Sequence, residues 1–84
     1  MIIYLIFSQE GFAEAKESIL ADKAILCVNA DFLSDEQVAE LKQAEINVHL
    51  FSETVNGGNE KSILQVLKPI EEKHPKAEIL IEYL

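Results

Sequence analysis

The side chains of this chain that could hold a ligand collect just behind its short apolar runs. Ser8, Gln9 and Glu10 follow the run 2–7. Asn29 closes the run 24–29, with Ala30 and Asp31 behind it. Ser52, Glu53 and Thr54 follow the run 46–51, and Asn56, Gly57 and Gly58 come next. If the runs are parallel strands, all of these lie at one carboxyl edge, where open α/β sheets bind ligands. Ser8, Gln9, Asn29, Asp31, Ser52, Glu53, Asn56, Gly57 and Gly58 are therefore the candidate ligand-binding residues. The carboxylates Glu10, Asp31 and Glu53 add oxygen donors of the type Mg²⁺ or Ca²⁺ prefers. The plainer reading is that strand-to-helix loops are polar because they lie at the surface and cap helices. No residue is assigned as catalytic or as a metal ligand, and no cofactor is expected.

Two other patterns invite chemistry and fall short of it. In Asn56-Gly57-Gly58-Asn59-Glu60-Lys61-Ser62, backbone amides could cradle an anion. A phosphate loop needs Gly-x-x-x-x-Gly-Lys-Ser/Thr behind the first strand, and Glu60 would repel phosphate, so the segment reads as a turn. Cys27 sits among Ile25, Leu26 and Val28, where a thiol behaves as a small hydrophobe rather than a nucleophile. His49 and His74 have no acid or cysteine at ligand spacing, and both read as structural.

Charge narrows the field. Lys+Arg number 7 and Asp+Glu 15, a net charge of −8, and every base is a lysine. Such a surface repels nucleic acid and anionic membranes, and the missing arginine removes the bidentate fork for phosphate. One cysteine forbids an internal disulfide and fits a reducing compartment. Residues 1–7 lack the basic stretch of a signal peptide, and no run reaches the length of a membrane span. Cytoplasm is the expected location.

The elements that must position these residues follow from periodicity. The 84 residues make one small domain. Runs 2–7, 24–29 and 46–51 read as strands, and 77–84 alternates as a half-exposed fourth strand. Between them, 10–21 has helical period. Ser34-Asp35-Glu36-Gln37 is a capping box that starts a helix over 35–44. Asn59 caps a third helix with the stripe Ile63, Val66, Leu67 and Ile70, kinked at Pro69 and ended by His74-Pro75.

The order βαβαβαβ implies a four-stranded parallel sheet joined by right-handed crossovers. The arrangement 2-1-3-4 is favoured, with the first helix on one face and the other two opposite. It puts the first strand inside and the fourth at an edge. The element order resembles half of a flavodoxin-like fold. A receiver domain would need an acidic pair where Ser8-Gln9-Glu10 stands, an aspartate where Ser52-Glu53 stands, and a fifth strand. The run Val48-His49-Leu50-Phe51-Ser52-Glu53 is similar to one in small sulfur-relay subunits, without a family-specific motif. Neither family is assigned.

The expected role is a non-enzymatic interaction or accessory domain that self-associates. A homodimer would form through the fourth strand, where Ile79, Ile81 and Tyr83 share a face, or through an under-covered sheet face. The alternative is small-molecule or divalent-metal binding at the carboxyl edge, with weak chemistry.

Overall fold

A computed structural model describes residues 1–29, 32–51 and 54–82. The elements follow one another as β1 (Ile2–Ile6), α1 (Gln9–Asp22), β2 (Ile25–Val28), α2 (Asp35–Gln43), β3 (Val48–Leu50), α3 (Glu60–Lys73) and β4 (Glu78–Ile81). Each helix starts at a side chain suited to cap it. Ser8 Oγ accepts from the Gly11 amide at 3.1 Å. Ser34 and Gln37 form the reciprocal capping box, with bonds of 3.0 and 3.1 Å. Asn59 accepts from the amides of Lys61 and Ser62. α3 runs through Pro69 as one helix and ends at Lys73, where the His74 amide donates to the Ile70 carbonyl.

The sheet is four-stranded and all-parallel, as expected, but its order is β3-β2-β1-β4 rather than 2-1-3-4. β1 is interior and β4 is an edge, and the other interior place belongs to β2. The cause is composition. β2 carries Ile25, Leu26, Cys27 and Val28 and is apolar on both sides, as an interior parallel strand must be. β3 has only three residues, and His49 and Leu50 are exposed. Its polar Asn47 and His49 make it an edge strand by the same alternation that marks β4.

The order also redistributes the helices. The steps β1→β2→β3 go one way across the sheet, and the step β3→β4 returns across all of it. Right-handed crossovers therefore put α1 and α2 on one face and α3 alone on the other. Packing agrees. Tyr4, Ile6, Leu26 and Val28 form one core with Phe12 and Ile19 of α1 and Leu41 of α2. Ile3, Leu5 and Cys27 form the other with Ile63 of α3, backed by half-buried Val66, Leu67 and Ile70. A single helix cannot roof four strands, and this shortage shapes the region beside β3.

Candidate functional site

The order 3-2-1-4 is the first part of the doubly wound arrangement 3-2-1-4-5-6, whose ligand crevice opens where strand order reverses. Here that point lies between the carboxyl ends of β1 and β4. The chain's own carboxylate fills it. Glu82 Oε1 accepts from the amides of Phe7 at 2.7 Å and Ser8 at 3.0 Å, and Oε2 accepts from the Ser8 hydroxyl at 2.6 Å. Ser8 is also the α1 N-cap, so the carboxylate sits against the positive helix end, where anions are favoured. Gly11 makes room: a Cβ there would overlap the Glu82 carboxyl group. Glu82 belongs to no candidate set drawn from spacing, because its partners lie 74 and 75 positions away. The signal that could have found it is Gly11, a glycine in a helix interior where alanine would be more stable by ~1 kcal/mol.

The other proposed edge residues divide. Asn29 is buried and braces two loops. Its Nδ2 donates to the Val55 carbonyl at 2.9 Å and the Phe7 carbonyl at 3.4 Å, and its Oδ1 accepts from the Val55 amide at 2.7 Å. Gln9 is exposed and donates to Gln37 Oε1 at 3.4 Å. Asn56 Oδ1 accepts from the Gly58 amide at 2.9 Å, closing a turn, and neither Gly57 nor Gly58 takes a positive φ. Asp31, Ser52 and Glu53 lie outside the described residues. Among the described residues no group of three His, Cys, Asp or Glu side chains comes together. Ser8, Asn29 and Asn56 are thus engaged in internal bonds, and of the described candidates only Ser8 bonds to Glu82 at the switch point.

The open part of the molecule is elsewhere. Beside α3, over β2 and β3, lies a hollow of about 440 Å³, within the size range of small-molecule sites. Ile25, Cys27 and Phe51 line the sheet side, and Val66, Pro69 and Ile70 the helix side. Pro69 has no N–H, so the Gln65 carbonyl in the same wall loses its helical donor. His49, Lys73 and His74 also line the hollow. Burial pushes the Cys27 thiol up from 9.0 to about 11. The thiolate is the nucleophile, so this group stays a neutral part of the floor. Phe51, in the sheet-side wall, stacks on Phe7 at 5.9 Å between ring centres.

No family model, curated protein or solved structure matches the chain. Among the described residues, no helix is long and apolar enough to cross a membrane.

Proposed function

We propose that the protein is a non-catalytic association domain that pairs with a second copy of itself through the free side of β4. The observation that carries this reading is the Glu82 contact. It occupies the crevice where a doubly wound enzyme would place its substrate, and it also ties the end of β4 to the β1–α1 turn. The Glu78 amide donates to the Met1 carbonyl and the Glu82 amide to the Leu5 carbonyl, each at 2.9 Å. By strand alternation the backbone groups of Ile79 and Ile81 face away from β1. An edge whose outward donors and acceptors have no partner among the described residues is a template for another strand. Leu80, 38% exposed, lies beside it.

Each partner carries a net charge of −8, so pairing opposes a mutual repulsion that salt screens. Sedimentation at micromolar concentration is expected to show a dimer that tightens from low to moderate salt and dissociates in Leu80→Lys. A monomer under all of these conditions overturns the reading. A free Cys27 fits a reducing compartment such as the cytoplasm. Binding of a metabolite or divalent ion at the carboxyl edge, the second reading, would require an incoming group to displace Glu82 from Ser8. Calorimetry with Mg²⁺ tests it, and saturable heat lost in Glu82→Gln would favour it.

A further inference from the structure

The hollow between α3 and β3 lies at the opposite edge from β4 and has its own chemistry. We propose that it binds a small apolar carboxylate, with the tail along the sheet and the carboxylate at Lys73 and His74. Three observations converge on that ligand class.

The first is shape. A volume of about 440 Å³ is within the size range of small-molecule sites. From Gln65 to His74 the wall follows nine residues of helix, about 14 Å at the helical rise. That length matches an extended alkyl or aryl-alkyl chain. The second is the lining. Ile25, Phe51, Val66 and Ile70 are each only half-buried against the core, and their remaining apolar surface borders the hollow. Covering it removes that surface from water.

The third is charge. The chain has 15 acids, yet none of the described residues lining the hollow is acidic. Its ionisable polar groups are Lys73 and the imidazoles of His49 and His74, besides the neutral Cys27 thiol. Lys73 has no ion-pair partner among the described residues, whereas Lys16 bonds Glu40 at 2.6 Å. A lysine ammonium and imidazole N–H groups are donors for a carboxylate. The carbonyl end of α3 opposes an anion, but Lys73 stands in the last turn and the His74 amide covers the Ile70 carbonyl, which offsets that field.

The probe is decanoate, with decanol and decylamine as controls, titrated into the isotope-labelled full chain and followed by amide shifts. Decanoate is expected to saturate, with shifts at Ile25, Val66, Ile70 and Lys73. Decanol should bind about two- to fivefold more weakly, Lys73→Met should weaken decanoate by the same factor, the scale of losing one exposed charge contact, and Lys73→Glu should weaken it further. Unchanged spectra of both variants in the absence of decanoate show that they fold. Equal binding of decanol, saturation with shifts at the Glu82 corner, or no saturation overturns the proposal. Leu80→Lys separates this site from the β4 pairing: it should abolish dimers and leave decanoate binding intact. If decanoate instead dissociates the dimer, a second copy occupies the hollow and the ligand proposal fails.

Discussion

At the β4 edge, the carboxylate of Glu82 accepts from two amides and one hydroxyl of the β1–α1 turn, and behind the interior strand β2 Asn29 donates twice and accepts once. At the β3 edge, three residues of strand stand beside a hollow lined by half-buried apolar side chains. Both edges belong to one sheet, and both flank an interior strand. They differ because α1 and the β1–α1 turn reach the first, whereas the single helix on the other face cannot also reach the second. Polar satisfaction and apolar coverage are thus separate requirements. This chain meets the first at the place where related topologies keep a site open, and leaves the second incomplete.

If that contrast is right, substitutions that break the internal hydrogen bonds of the carboxyl edge should destabilise and substitutions of exposed residues around the hollow should not. The largest effect is expected from Asn29→Leu. It would leave the Val55 amide and carbonyl buried without partners, a loss of about 2–3 kcal/mol in urea denaturation. Glu82→Ala is expected to cost about 1–2 kcal/mol, because water can replace part of a half-buried carboxylate. A loss below ~0.5 kcal/mol for Glu82→Ala would erase the difference between the two edges.

Gly11→Ala sharpens the contrast through its sign. Alanine favours a helix by ~1 kcal/mol over glycine, yet here its Cβ evicts the carboxylate, and a net loss of about 1 kcal/mol is expected. In the Glu82→Ala background the same change should stabilise, by about 0.5–1 kcal/mol. Additive effects in that double-mutant cycle would show that Gly11 is not there for Glu82.

On the hollow side, Cys27 supplies a slope. Its folded-state pKa is about 11 against an ordinary 9.0, so the fold favours the neutral thiol. That contribution is complete below about pH 9 and is lost as pH rises through about 11. Cys27→Ala should flatten the alkaline limb of stability against pH relative to the native chain. The smallest effect belongs to Leu50→Ser. Leu50 is 54% exposed, and a shift within about 0.5 kcal/mol is expected in thermal melts.

The elements and their ends were legible because the signals that set them span only a turn. The capping box of Ser34 and Gln37, the cap at Asn59 and the stop at His74 each join residues three or four apart, and each formed as the spacing implied. An all-parallel sheet with β4 at an edge was also legible, from the alternation of strands with helices and from Glu78 and Glu82 on one side of the last strand. The pairing of β1 with β2 was legible too, but the second neighbour of β1, β4 rather than β3, was not. Asn47 and His49 carried the edge signal for β3, but choosing between 2-1-3-4 and 3-2-1-4 depends on which crossover buries more apolar surface, a property of the assembled layers.

The residues at the carboxyl edge show the same division. Spacing placed Ser8 and Asn29 at that edge. It left open whether their hydrogen bonds point outward to a ligand or inward to the chain. That depended on Glu82 and Val55, which are 74 and 26 positions away, and on Gly11 leaving the space between helix and strand. A hydrogen bond over such a separation exists only after the sheet has formed. The sequence by itself therefore determined the elements and their caps. The tertiary structure alone decided that the switch point is closed and that the side of α3 is open.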